Sequence, residues 1–408
     1  MKYSVNEYCD TASYENSCYK RNLVTTPNIT DANLIYQAFL DSKKPVPWKY
    51  DTQSYQTKYL SEIAKLQNEI KTRTYEFLPS NEFTINERGK TRRITADKMH
   101  EKVMKHLICD NVLTPAIKKF LIHDNGSVIK GKGISFTRKR LQTHIRKFYN
   151  RNQSNDGYIL LMDFSKYFDN IQHKRIYDLI CEYVRDEDTL YLVDRTLDRY
   201  KVDVSYMTDS EYECCMETIF DYLAYQQIDR SVLTGDKFMH KRLNIGDQIS
   251  QILGISYLIQ FDNFVKIVNG IEFYGRYMDD CYIIHRDKKY LEDLLQQLVV
   301  KANECGIHIN LNKTKICKLS DRWKFCQLKY TVTNSGKIIK YMNHDKIHSV
   351  RIRLKKLSKI LNAKEFRDQF YSWFTAYKKL MTNKQRLNIL QLYKTLSKEI
   401  KYVHNQTC

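Results

Sequence analysis

Apolar positions recur at helical spacing early in the chain: Leu34, Ala38 and Phe39, then Tyr59, Ile63, Leu66 and Ile70, predict an N-terminal helical lead-in. The period changes near Glu82. From there to Ile94, polar and β-favouring residues alternate around Glu87-Arg88-Gly89-Lys90, which predicts a hairpin whose return strand carries Lys90, Arg92 and Arg93. Helical spacing resumes from Met99 to Phe120, a basic loop with glycines follows at Asn125–Gly133, and Thr137–Tyr149 predicts a further basic helix. Tyr158-Ile159-Leu160-Leu161-Met162 is short, wholly apolar and bounded by polar residues, as a buried strand should be, and Asp163 stands at its end. Ile176–Tyr200 is helical again. The stretch from about 202 to 241 is acidic at first, irregular, and reads as an insertion. Gly270–His285 predicts a hairpin with Met278-Asp279-Asp280 at its turn, Leu291–Cys305 an amphipathic helix, and Trp323–Ile339 a second hairpin turning at Asn334-Ser335-Gly336. From Lys346 to Val403 the pattern is helical: Val350, Leu354, Leu357, Leu361, Phe366, Phe370, Trp373 and Tyr377 face inward, and Arg351, Arg353, Lys355, Lys356 and Lys359 face out.

Composition narrows the class. Of 408 residues, 42% are apolar and 12% aromatic, with only 12 glycines and 5 prolines, so the chain can bury several packed subdomains and is not globally disordered. A formal charge of +20 favours a polyanionic partner. The eleven cysteines form no C-x-x-C pair, which argues against a zinc ribbon; their odd number, with no basic-then-apolar leader, predicts a reducing cytoplasm. No run of about eighteen apolar residues exists, so no membrane span is expected.

Three acids interrupt apolar strands at their ends: Asp163, Asp279 and Asp280. Charge beside a core is costly unless it is paired or bound to metal. Divalent metal is the economical explanation, and hard oxygen donors suit Mg²⁺. His173, His285 and His308 show no metal-ligand spacing and are expected in ordinary packing or surface roles.

Tyr277-Met278-Asp279-Asp280 resembles the Y-x-D-D box of reverse transcriptases, and other boxes stand in their usual order. Asp163-Phe164-Ser165-Lys166-Tyr167-Phe168-Asp169 looks like the first catalytic motif. Leu243–Gln251 resembles the segment that contacts template and nucleotide, Gly306–Thr314 the fourth motif, and Phe325–Tyr330 the primer grip, although Cys326-Gln327-Leu328 lacks the glycine many relatives carry. The resemblance spans roughly residues 80 to 340, and its flavour is that of bacterial retron, diversity-generating, group II intron and phage-defence enzymes.

What it implies is an α+β right-hand polymerase: an N-terminal helical extension over 1–75, fingers over 76–156, a palm over 157–340 with the insertion at about 202–241, and a helical thumb over 341–408. Asp163, Asp279 and Asp280 would be catalytic ligands of two Mg²⁺ ions, with Mn²⁺ a possible substitute and the Phe164 carbonyl a further oxygen. Lys313 would protonate pyrophosphate or steady the triphosphate. Lys90 and Arg92 would grip the incoming nucleotide, Phe168 would gate against a ribose 2′-hydroxyl, and Ile245, Gly246 and Gln251 would line the nucleotide site. Lys130, Lys132, Arg138, Lys139 and Arg140, with the thumb's basic face, would neutralise phosphates.

The implied reaction is RNA-templated DNA synthesis from dNTPs, with an RNA template, a DNA product strand and, as further partners, an accessory protein or a second copy. No stretch after the thumb is long enough for an RNase H or HNH domain, so strand removal is expected from elsewhere. An antiphage or retron-like setting with a structured noncoding RNA is expected, a diversity-generating cassette being the near alternative. Template-independent or protein-primed synthesis, a non-catalytic maturase-like RNA-binding role, and RNA synthesis remain the rival readings.

Overall fold

The computed structural model describes residues 27–87, 90–342 and 344–406. In chain order the helices are α1 (Ala32–Lys43), α2 (Tyr50–Thr57), α3 (Tyr59–Lys71), α4 (Met99–Ile108), α5 (Thr114–Ile117), α6 (Ile134–Asn152), α7 (His173–Tyr183), α8 (Glu187–Tyr200), α9 (Asp209–Glu217), α10 (Tyr222–Tyr225), α11 (Gln248–Tyr257), α12 (Ile259–Asn263), α13 (Lys288–Glu304), α14 (His344–Leu357), α15 (Ala363–Tyr377) and α16 (Asn383–Gln406). The strands are β1 (Asn81–Glu87), β2 (Lys90–Ala96), β3 (Tyr158–Met162), β4 (Val202–Asp203), β5 (Phe238–Met239), β6 (Tyr274–Tyr277), β7 (Asp280–His285), β8 (Lys315–Lys318), β9 (Trp323–Phe325), β10 (Leu328–Val332) and β11 (Ile338–Met342). One four-stranded sheet has the order β6-β7-β3-β8, β9, β10 and β11 form a three-stranded sheet, and β1-β2 and β4-β5 are two-stranded.

The chain divides into two compact units, one built from the described residues through Thr137 with Met162–Cys281 and Asp293–Thr314, the other from Arg138–Leu161, Tyr282–Glu292 and the residues from Lys315 on. In the first, α4 is interior: Val103, Met104, Leu107 and Ile108 are fully buried. Ala38 and Phe39 of α1 are buried as the apolar spacing expects, with Ile35 buried in place of the half-buried Leu34, and Asp31 caps that helix by accepting from the Asn33 N–H. Helix α11 is buried along nearly its whole length, and so reads as apolar all round rather than striped.

The stretch at 202–241 is more ordered than its irregular sequence suggests. Strands β4 and β5 pair, Val202, Val204, Phe220 and Met239 form a small core of their own, and a capping box between Thr208 and Glu211 starts α9. Its core depends on pairing two strands more than thirty residues apart, which local periodicity does not show.

In the second unit β3 pairs antiparallel with β8 from Tyr158↔Lys318 to Leu161↔Lys315. Helices α14, α15 and α16 enclose a core that includes Leu354, Phe366, Phe370 and Ile389, with the Phe370 and Tyr393 rings stacked at 3.9 Å. The expected inward residues Val350, Leu357, Leu361, Trp373 and Tyr377 pack against it, and Arg351, Arg353, Lys355, Lys356 and Lys359 are exposed.

One expectation changes here. The hairpin predicted over Trp323–Ile339 is a three-stranded meander, because a second turn occurs at Cys326–Gln327, where Phe325 pairs with Leu328. Both turn residues are left-handed, Cys326 at φ 44° and Gln327 at φ 70°, the type I′ geometry usually built from Asn-Gly. Cys-Gln carries no such signal. Holding each of these residues there costs on the order of 1 kcal/mol.

Candidate active site

The backbone after β3 is fixed from one side. Phe164 and Ile309 form an isolated antiparallel bridge, in which the Asn310 N–H donates to the Asp163 carbonyl at 2.7 Å and the Ser165 N–H to the His308 carbonyl at 2.8 Å. Because the flanking residues make both bonds, the Phe164 carbonyl points to the opposite edge. A turn then follows in which the Lys313 and Thr314 N–H groups return to the Asn310 carbonyl at 3.0 and 2.9 Å. This turn sets the Lys313 ammonium on the Asp163 carboxylate. The lysine side chain is 55% exposed and the aspartate 16%, so the pair is open to solvent and exchangeable.

The turn between β6 and β7 consists of Met278 and Asp279. Met278 is left-handed at φ 55°, as the first residue of a II′ turn must be, although it lacks glycine's freedom. Its N–H donates to the Ser127 hydroxyl. Beneath the turn, Arg276 and Asp262 are both buried and paired: the guanidinium Nε donates to the two carboxylate oxygens at 3.0 and 2.7 Å, and the Tyr274 hydroxyl adds a bond at 2.6 Å. Arg276 Nη2 also donates to the Ile255 carbonyl at 2.8 Å, which joins α11 to the strand below the turn. Asn125 and Arg276 form a parallel bridge, so the loop at Asp124–Ser127 lies along β6.

Phe168 lies in a 3-10 turn at Tyr167–Asp169, half-buried, with its carbonyl accepting from the Leu243 N–H at 2.8 Å. A Cβ on Gly254 would come within 3.3 Å of the Phe168 ring, so the glycine makes room for it. Leu243 leads into Ile245, whose side chain is 39% exposed, and Gly246, left-handed at φ 94° with open space around it. Asp247 caps α11 through the Ile249 N–H and receives the Lys105 ammonium and the Tyr200 hydroxyl; Lys105 also pairs with Asp97 at 2.7 Å. Burial pushes the Tyr200 hydroxyl well up, which keeps it a donor to Asp247. Gln251, one turn into α11, is half-buried.

These segments meet in one unit. Burial pushes the Tyr167 hydroxyl well above the usual phenol range; the Arg276 charge opposes this, and those of Tyr257, Asp279 and Asp262 add to it. Among the described residues no three His, Cys, Asp or Glu side chains stand arranged to hold a metal ion. The donors are nonetheless of the right kind: Asp163 and Asp279 half-buried, Asp280 exposed beside them, and a Phe164 carbonyl turned away from its bridge supply only hard oxygen, which fits a divalent cation. Asp163 is here neutralised by the protein's own lysine.

Lys90 and Arg92 stand on β2, in register with Glu87 and Ile85; their side chains lie outside the described residues. Arg138, expected to face phosphate, instead donates from Nε and Nη2 to the Cys326 carbonyl at 3.0 and 2.5 Å. His173 is a packing residue: buried, its Nε2 bonds the Arg242 carbonyl at 2.7 Å and burial pulls the imidazole down to about 4. Arg276, Asp262, Lys105 and Asp247 do not stand out in the sequence as site residues. Arg276 and Asp262 had a signal, a lone charge inside an apolar run; Lys105 had none, since Lys102 and Lys105 look alike on a basic helix.

Comparison with curated proteins returns no match. Among protein families, the model described as reverse transcriptase (RNA-dependent DNA polymerase) matches residues 84–344, a span that begins in β1, contains every motif set out above and covers well over half of the chain. The fold it implies, polymerase palm and fingers, agrees with the mixed helix and sheet found here. With Asp163, Lys313 and the Tyr277–Asp280 turn all inside that span, the chain belongs to the reverse transcriptase family and is an RNA-directed DNA polymerase, a nucleotidyltransferase that takes an RNA template and dNTPs.

Proposed function

We propose that Asp163 and Asp279 are the principal ligands of two Mg²⁺ ions, for which Mn²⁺ can substitute, with Asp280 adjacent and the Phe164 carbonyl as a further oxygen. The observation that carries this reading is that one compact unit holds all three carboxylates, with Asp163 already neutralised by a solvent-open, exchangeable cation, Lys313. Bound there, the ions would activate a primer 3′-hydroxyl and stabilise the leaving pyrophosphate oxygen. With the ions bound to Asp163, the Lys313 ammonium would be free to turn to the triphosphate, to steady it or to protonate the departing pyrophosphate. Phe168, whose ring the room at Gly254 accommodates and whose carbonyl accepts from Leu243, would stand against the ribose 2′-position. Ile245 and Gly246 offer an exposed apolar side chain and bare backbone to the nucleotide, and Gln251 follows in α11. Lys90 and Arg92 take the triphosphate from the fingers.

In the same reading residues 76–156 are fingers, 157–340 palm and 341–408 thumb, and the exposed Arg351, Arg353, Lys355 and Lys356 follow duplex phosphates. The template is a structured noncoding RNA and the setting is antiphage defence. No helix among the described residues is long and apolar enough to cross a membrane.

The test is extension of a DNA primer on RNA by purified protein with Mg²⁺ and labelled dNTPs, paired with sequencing of the RNA and DNA that co-purify from cells. The expected result is one recurrent RNA with its complementary DNA, and reduced phage plating that needs Asp279. DNA of random sequence, made without RNA, would sink the templated reading.

A further inference from the structure

We propose that Arg138 is the positioning residue of the Cys326–Gln327 turn and acts on synthesis through that turn, aligning the primer strand rather than neutralising a phosphate. The proposal rests on the reading of Phe325–Tyr330 as the primer grip. A two-residue I′ connection needs both central residues left-handed, and here neither is glycine or asparagine, so the turn holds no local preference for its own shape. Support comes from outside the hairpin. On one side the Arg138 fork, near the start of α6, places Nε and Nη2 on the single carbonyl of Cys326. That carbonyl faces α6 only while the peptide between Cys326 and Gln327 keeps its left-handed setting; rotation toward a common type I or II turn would swing it away and break both bonds.

On the other side the Gln327 side-chain oxygen accepts from the Lys346 ammonium at 3.3 Å. Lys346, in α14, lies 4.1 Å from the centre of the Tyr377 ring in α15. Each central residue is therefore held by a different helix, and the shape of the turn is tied to α6 through Arg138 and to the α14–α15 pair through Lys346. Phe325 and Leu328, which flank the turn, are buried, as is Cys326 itself, so the hairpin's base is fixed and the two cations act on its tip. A guanidinium suits this task because its rigid fork can deliver two N–H groups to one acceptor, which an ammonium on a flexible stem does not reproduce.

The experiment compares full-length wild type with Arg138→Gln, Arg138→Lys and the turn variant Cys326→Asn/Gln327→Gly, the last in all three backgrounds. Single-nucleotide addition, primer–template Kd and its salt dependence are measured. Arg138→Gln is expected to lower kcat about 10- to 100-fold, the usual consequence of a small misplacement of a reacting group, while Kd changes by less than about twofold. Arg138→Lys should behave similarly. Asn-Gly, which adopts the turn unaided, should bring the Arg138→Gln enzyme back to within about threefold of wild type. If Arg138→Gln instead weakens duplex binding, lowers the salt slope by about one and is not rescued by Asn-Gly, Arg138 is a phosphate contact and the proposal is overturned. If amide exchange at 326–328 rises in Arg138→Gln and falls again with Asn-Gly while kcat never moves, the clamp exists but the turn holds no primer; that outcome overturns the alignment claim together with the primer-grip reading. Should Arg138→Gln fail to fold, Arg138→Lys with and without Asn-Gly gives the same comparison.

Discussion

The Tyr277–Asp280 turn and the Phe325–Leu328 turn both put non-glycine residues in the left-handed region, Met278 in one and Cys326 with Gln327 in the other, yet they are braced differently. The first rests on a buried network: Arg276, Asp262 and Tyr274 share hydrogen bonds below it, the Ile255 carbonyl ties that network to α11, and Ser127 accepts from Met278 itself. The second is held by two partly exposed cations, Arg138 and Lys346, each with a single acceptor in the turn. A buried pair cannot be broken without stranding a charge in the core, so the first turn is coupled to the stability of its unit. The second turn's cations are half-buried, so losing one strands no charge in a core, and that turn is coupled more to function than to stability.

This contrast can be broken at several points. The largest effect is expected at Asp279→Asn, which should lower polymerisation roughly 1,000-fold or more, since charge stabilisation by metal is worth several kcal/mol of barrier, with the thermal midpoint unchanged. Primer extension and calorimetry on the same sample check both halves. Arg276→Met should act the other way round, costing about 3–5 kcal/mol of stability by leaving Asp262 buried and unpaired. Adding Asp262→Leu should recover most of that loss in a denaturant titration, and a double variant as unstable as the single would refute the network account.

Acid should sharpen the contrast next, because two groups in the first turn's unit titrate in opposition. Burial holds the His173 imidazole at about 4, below its ordinary 6.5, so its contribution is fully present above 6.5 and is lost as pH falls toward 4. Burial pushes the Asp169 carboxyl up to about 6 from 3.8, so its contribution is present below 3.8 and is lost as pH rises toward 6. Between pH 4 and 6 the two nearly cancel. Asp169→Asn removes one of them and should expose a loss of about 1 kcal/mol per pH unit on acidification that wild type lacks, read from melting curves across that range. Smallest is Met278→Gly, which relieves a strained φ and should change stability by no more than about 1 kcal/mol, the glycine's greater freedom when unfolded offsetting part of the relief.

The strand ahead of Asp163, the hairpin around Asp279, the basic helical tail and its inward stripe were all readable from periodicity, because each follows from which faces of one local element are apolar. The motif order was readable through the resemblance to reverse transcriptases, because it is a property of the linear chain. The Cys326–Gln327 turn was not, since its residues carry no turn preference and its shape is imposed by Arg138, 188 positions away. Nor were the partners of Asp163, Asp247 and Asp262, because a lysine or arginine looks the same in sequence whether it faces water or a buried carboxylate.

The sequence by itself therefore determined the elements that carry the acids and the acids' positions within them, through side-chain periods set by local backbone geometry. Only the tertiary structure decided which cation answers each carboxylate and which helix holds each turn. Those choices depend on desolvation and on distances closed between residues far apart in the chain, and no local pattern encodes either.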